Sequence, residues 1–434
     1  MLKPKTDKEI VIIGGGLAGS EAALLLARFN LKVTLIDMKP QISEGVFHSP
    51  HFGELVCSNS LRSQNITNGA GLLKKELAIL NSPLIEIAYK NQIAIGDSLV
   101  VNREEFSKDI TKAITTNPNI KVISSKLDNY EFSNDKYYLI ATGPATSDEF
   151  FIFLNSYFKS SKLAFIDATA PVIDASSIDY NIAYYKNRFG EETPNKYLNC
   201  PLTKDEYNKL YDKLLAYSSM VNYEQIFEGC MPVESLAKRG YKTLLFGPLK
   251  PIGLEINNER PFAVVQLRPD NNYNTLFNIV GFQTGLKESY QKEIINLIPG
   301  LKNAKIFKYG RMHKSKYLNS PELLTKNYQF KEHPNIYLIG QINGIEGYIE
   351  AISSGHVAAL DLIYKLARKE LILTNETLMG GLMNYAIAPT KNYIPIKANY
   401  GIIKPLMNNN KIDRAKQAEK AIAIITKLKG ELYE

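Results

Sequence analysis

EIVIIGGGLAGSEAALLLARF, residues 9–29, is the stretch on which the reading of the chain turns. Glu9-Ile10-Val11-Ile12-Ile13 is a short apolar run without polar alternation, the pattern of a parallel strand covered on both faces. Gly14-Gly15-Gly16-Leu17-Ala18-Gly19 fills the GxGxxG spacing, and the Ala/Leu-rich residues Ser20 to Phe29 read as a helix. Gly14 permits the tight turn, with Gly15 beside it in the same loop. Gly16 lets a pyrophosphate approach the backbone at the helix N-terminus, and Gly19 lets that helix lie close against the strand. A second strand, Leu31 to Ile36, leads into Asp37, about where a carboxylate takes the ribose hydroxyls of an adenine dinucleotide. A lone GxGxxG is a weak signal; strand, helix and acid together predict a dinucleotide-binding, Rossmann-like unit.

Two later stretches extend that unit. Tyr137 to Ala141 reads as a strand entering the turn Thr142-Gly143-Pro144, and Asn335 to Ile339 reads as another, ending at Gly340. The latter is followed by Ile345-Glu346-Gly347-Tyr348-Ile349-Glu350-Ala351 and by a small-residue helix start at Ser353-Ser354-Gly355. A second helix N-terminus brought toward a flavin ring favours FAD over NAD, with Gly143, Gly340 and Gly347 as further cofactor-binding positions. The expected fold class is therefore α/β: an FAD-binding Rossmann-like domain of the glutathione-reductase type. It is discontinuous, 1–185 and 326–434, with an inserted α+β domain at 186–325 that is rich in Tyr, Lys, Asn and Pro.

The 434 residues are 45% hydrophobic and 22% charged, enough for two domains. Three cysteines, Cys57, Cys200 and Cys230, show no CxxC or Cys/His spacing, which speaks against a disulfide framework or a metal site and for a reducing, cytoplasmic compartment. The N-terminus is polar, and the apolar stretch Ile10 to Ala27 is broken by glycines and Glu21, so neither a signal sequence nor a membrane span is expected. A net charge of +8 permits a polyanionic partner without requiring one.

The insertion carries Asn199-Cys200-Pro201 ahead of a capping-box pattern, Thr203 and Glu206. After it come FEGCMPVE around Cys230, AKRG with Arg239, FGPLKPIGL with Lys250, AVVQLR with Arg268, and VGFQT. Such Gly/Pro-rich loops suit a surface that grips a ligand by its backbone, and equally the turns of a small sheet.

With ELVCSNSLR, GLLKKEL, ATGP, DATAPV, NCP, IPGL and GQINGIEGYIE, these motifs fall in the order and spacing of the folate- and FAD-dependent tRNA uracil-5 methyltransferases, and the chain resembles that family over nearly its whole length. The resemblance implies FAD as cofactor, methylenetetrahydrofolate and NAD(P)H as co-substrates, and structured RNA, tRNA or large-subunit ribosomal RNA, as partner. The family's functional cysteines match Cys57 and Cys230. Cys230 is expected to engage C6 of uracil, Cys57 to assist from the flavin side, and Tyr348 to lie beside the flavin. Arg239, Lys250, Arg268 and His313 are candidate contacts to RNA phosphate or folate.

The chain also departs from the family. The usual MHRNT is Met312-His313-Lys314-Ser315-Lys316, FAELVCSNS is FGELVCSNS, and the arginine before FGP is Leu245. Lysine does not reproduce the planar fork of arginine. The departures bear on folate contacts and on the RNA target more than on the flavin site. A small-molecule flavin oxidoreductase and a noncatalytic FAD- and RNA-binding paralogue are the alternative readings, while the oligomeric state is not legible.

Overall fold

The structure, a computed structural model, describes residues 1–433 apart from 42–48, 145, 191–192, 220–225, 227, 229–230 and 409–410. Five parallel strands form one sheet in the order Ile336–Leu338, Lys136–Ile140, Glu9–Ile13, Val33–Asp37, Ile120–Ser124. Glu9–Ile13 occupies the centre, and Ile10, Val11, Ile12 and Ile13 are buried, which is why that strand is apolar at consecutive positions. Helix Leu17–Arg28 follows directly. It packs against helix Tyr348–Leu366, where a Cβ on Gly355 would stand 2.2 Å from the Ala18 carbonyl oxygen. Ser353-Ser354-Gly355 therefore lies inside a helix that begins at Tyr348, earlier than the small residues suggested. The smallness serves helix-to-helix approach and not a helix start.

A second, antiparallel sheet of six strands has its own core around Leu198, Cys200, Leu210, Val265, Phe277 and Ile294. It includes Val172–Asp174 and Ile306–Lys308, so this body begins before residue 186. Conversely, Leu318 and Leu324, expected in the insertion, belong to the first core. The antiparallel pair Lys162–Ala168 and Met312–Leu318 connects the two bodies, and Thr203 and Glu206 do close a capping box on helix Lys204–Ser218. Among the described residues no helix is long and apolar enough to cross a membrane.

Candidate active site

The glycine turn and the end of the second strand enclose a small cavity of about 100 Å³ lined by Gly14, Gly15, Gly16, Asp37, Glu54 and Thr142. Gly14 has φ +108°, and its N–H donates to the Ile36 carbonyl at 2.8 Å, tying the turn to the neighbouring strand. A Cβ on Gly19 would lie 1.9 Å from the Gly14 carbonyl oxygen, whereas one on Gly16 would meet nothing within 4 Å. Gly19 is thus a packing position, and Gly16 opens onto space at the N-terminus of helix Leu17–Arg28. Asp37 accepts the N–H of Gly15 at 2.5 Å and of Lys39 at 2.8 Å. Burial nevertheless leaves its carboxyl above the ordinary range. Each carboxylate oxygen keeps lone-pair capacity for a ribose hydroxyl.

Met38, Lys126, Thr146 and Ser147 border this cavity and also a larger one of about 670 Å³. Cys57, Arg62, Asp167, Glu346, Gly347 and Tyr348 line the larger space. Gly347, at φ +116°, precedes helix Tyr348–Leu366 and turns its first residue toward the Cys57 segment. The Tyr348 phenolic oxygen accepts the backbone N–H of Cys57 at 2.8 Å and of Ser58 at 3.1 Å. From the other side, Arg103 donates to the Leu55 carbonyl at 2.7 Å and pairs with Asp270 at 2.8 Å.

Cys57 is half-buried, and its Sγ lies 3.7 Å from the Ala168 carbonyl oxygen, an acceptor that suits a thiol and not a thiolate. Burial, reinforced by the charge of Asp167, pushes the thiol up to about 12. Glu346 is pushed up to about 8 by burial and Asp167, against the opposing charge of Lys397, whose Nζ is 3.8 Å away. Gln341 Nε2 also donates to the Glu346 carboxyl. At neutral pH the wall therefore presents a protonated thiol, a carboxyl able to give up a proton, and a phenol used as an acceptor.

The remaining expected positions separate. His313 lines the large cavity, its strand register opposing Asp167. Arg239 is exposed and paired with Glu228 at 2.5 Å, and Lys250 is half-buried; neither lines the two cavities. Arg268 is a correction to its expected role in RNA or folate contact. It is 8% exposed and turned inward, donating to Asn59 Oδ1 at 2.9 Å, Ser58 Oγ at 3.2 Å and Asn278 Oδ1 at 3.3 Å. Such a guanidinium braces the Cys57 segment and has no exposed fork for phosphate. Gly143 offers its carbonyl to Thr146 Oγ1 at 2.7 Å, and the Gly340 N–H donates to Ser354 Oγ at 2.7 Å; both shape turns near the cavities without lining them. Cys230 lies outside the described residues. Sequence reasoning gave no role to Asp167 or Arg62, although both sit in quoted motifs. Lys397 had no signal at all.

A family model described as glucose inhibited division protein A, GIDA, matches residues 9–370. The methylenetetrahydrofolate–tRNA-(uracil-5-)-methyltransferase TrmFO of Staphylococcus saprophyticus is 42% identical, covering 97% of this chain and 99% of its own. The chain belongs to the TrmFO family. The TrmFO of Natranaerobius thermophilus is 43% identical, covering 96% of this chain and 98% of its own. Aquifex aeolicus GidA, at 17% identity, superposes with a TM-score of 0.72 over 98% of this chain and 76% of its own, a likeness of fold. Membership in the TrmFO family accounts for the collinear motifs.

Proposed function

We propose that this protein is a folate- and FAD-dependent RNA uracil-5 methyltransferase. It would use methylenetetrahydrofolate as one-carbon donor and NAD(P)H as reductant, and place a methyl group on C5 of a uridine in structured RNA. The observation that carries the reading is the cavity in which Cys57, Glu346 and Tyr348 meet, joined through shared walls to the glycine turn, in a chain whose TrmFO relatives match it end to end.

The residues present fit FAD. Space above Gly16 and the N-terminus of helix Leu17–Arg28 suit the pyrophosphate, and Asp37 suits a ribose. The larger cavity has room for the ring system and a second planar ligand. When bound, FAD supplies electron transfer and a carrier for the one-carbon unit. The chain supplies the rest. A thiolate at Cys230, assigned by resemblance, adds to C6 of uracil, forming a C–S bond and shifting electrons toward C5 and the C4 oxygen, which makes C5 nucleophilic. Glu346, whose carboxyl burial and Asp167 hold well above the ordinary range, would hydrogen-bond that developing oxygen charge. Cys57, held as a thiol by its buried setting, retains its proton until a ligand changes that setting. The Tyr348 oxygen fixes the segment by accepting two N–H groups. A uridine would leave its stack to reach such a wall.

The test supplies FAD-loaded protein with NAD(P)H and methylenetetrahydrofolate labelled in the methylene carbon, together with unmodified tRNA or large-subunit ribosomal RNA fragments. Label at C5 of uridine in one of the RNAs supports the reading and identifies the target. Label in neither, from a protein that has bound FAD, refutes it.

A further inference from the structure

Lys74, in helix Gly69–Ile79, is 1% exposed. Among the described residues its Nζ has no salt-bridge partner; it donates instead to two carbonyls, Leu61 at 2.7 Å and Arg62 at 3.2 Å. Burial and the nearby Arg62 charge bring the amine down to about 7, so near neutral pH it is shared between ammonium and neutral amine, and both forms donate to the two carbonyls. Any apolar side chain would fill the volume at lower cost, and what the lysine adds is the grip on those two carbonyls.

The gripped segment is unusual in its backbone. Arg62 has φ +65°, a left-handed conformation that residues with a Cβ rarely take, and its N–H donates to Ser60 Oγ at 3.1 Å. The turn sends the side chain across to Glu350, whose carboxyl accepts from the guanidinium and also from the Ala398 N–H at 2.7 Å. The other oxygen of Glu350 is buried and has no hydrogen-bond partner among the described residues. Arg62 lines the large cavity beside Gly347 and Tyr348, at the N-terminus of the long helix Tyr348–Leu366. A partly exposed guanidinium, its charge shared with Glu350, and a helix N-terminus thus converge on one stretch of cavity wall.

We propose that Lys74 is a positioning residue: it holds the left-handed backbone at Arg62 so that the guanidinium meets the negative charge which an FAD ring in the cavity acquires on reduction. The proposal rests on the FAD reading above. Two electrons and one proton convert the neutral oxidised ring to an anion with its charge on N1 and the C2 oxygen. A fixed cation at that edge favours the reduced form.

The test is the midpoint potential of bound FAD, measured with reference dyes in the full-length protein, its Arg62→Gln and Lys74→Met variants and the double variant. Arg62→Gln is expected to make two-electron reduction at least tenfold less favourable, a shift of about 30 mV to more negative potential. Lys74→Met should shift it by a similar amount, and the double variant by no more than Arg62→Gln alone, since Lys74 acts through Arg62. Additive shifts, or a wild-type potential in Lys74→Met, overturn the proposal. Should Lys74→Met not fold, Lys74→Gln, which keeps an N–H donor, carries the test. Its shift should be smaller than that of Arg62→Gln and absent in the Arg62→Gln background; persistence there overturns the proposal. A wild-type protein that takes up no FAD refutes the cofactor reading itself, and this proposal with it.

Discussion

The phenolic oxygen of Tyr348 accepts the N–H of Cys57 at 2.8 Å, so the first residue of one domain's long helix fixes the backbone of the cysteine beside it in the cavity wall. Tyr348→Phe removes that acceptor and leaves the N–H groups of Cys57 and Ser58 unpaired. A loss of about 1–3 kcal/mol is expected in urea unfolding, together with faster alkylation of Cys57 as its segment loosens. Wild-type stability and thiol reactivity would show that the contact holds nothing.

The acidity of Cys57 gives a second expectation. With its thiol pushed up to about 12, the thiolate fraction at pH 8 is roughly one in ten thousand, and alkylation is slow. In a Cys230→Ala background, where Cys200 is buried, the Cys57 rate should climb with pH through 8 to 10 without levelling. Asp167 raises the thiol by its negative charge, so Asp167→Asn should lower it and speed alkylation at a given pH. The variant should still react slowly, because burial is the larger cause. A plateau near pH 9 in the Cys230→Ala protein with Asp167 intact would contradict this setting.

Gly16 and Gly19 should part company. Gly16→Ala adds a methyl group to open space at an ordinary φ of −69°, so melting should hardly change while FAD affinity falls at least tenfold. Gly19→Ala drives a Cβ to 1.9 Å from the Gly14 carbonyl oxygen and should destabilise the protein whether or not FAD is present. Thermal melts and FAD titration separate the two effects. Undiminished FAD affinity in Gly16→Ala would disprove the assignment of that space.

Lys314 borders the large cavity, while its neighbour Lys316 is engaged with Asp148 at 2.7 Å and the Thr146 carbonyl at 2.8 Å. RNA affinity should fall linearly on a log–log plot against salt, and Lys314→Ala should reduce that slope by about one phosphate contact. Lys316→Ala should act mainly by freeing Asp148. Equal slopes in Lys314→Ala and wild type would remove Lys314 from the RNA contact surface.

The dinucleotide-binding half was legible because its signals are local. A buried parallel strand must be apolar at consecutive positions, and Gly19 answers to the nearby Gly14 carbonyl; Gly14 itself packs on distant Ala141 and was legible only through the GxGxxG spacing. Helix Tyr348–Leu366 was legible in existence and mistaken in its start, because Gly355 is small for the sake of a distant helix and Ser354 receives the Gly340 N–H. The edge of the second domain was misjudged for a similar reason. Three residues, Val172–Asp174, join a sheet assembled from partners as far on as Ile306, and nothing in so short a strand announces its pairing. Arg268 looked like a ligand contact since an arginine does not declare whether it faces inward. Two of its partners, Asn59 and Ser58, lie in the other domain. Asp167, Glu346 and Lys397 meet only through the tertiary fold, so their mutual effect on acidity had no sequence signature.

Release of tritium from RNA carrying [5-³H]uridine tests the proposed chemistry most directly, since it reports loss of hydrogen from the carbon to be methylated. With FAD, NAD(P)H and methylenetetrahydrofolate present, release is expected to match methyl groups gained and to vanish in Cys230→Ala. Protein that holds FAD yet releases no tritium from any structured RNA, or that releases it undiminished without Cys230, would contradict the proposal.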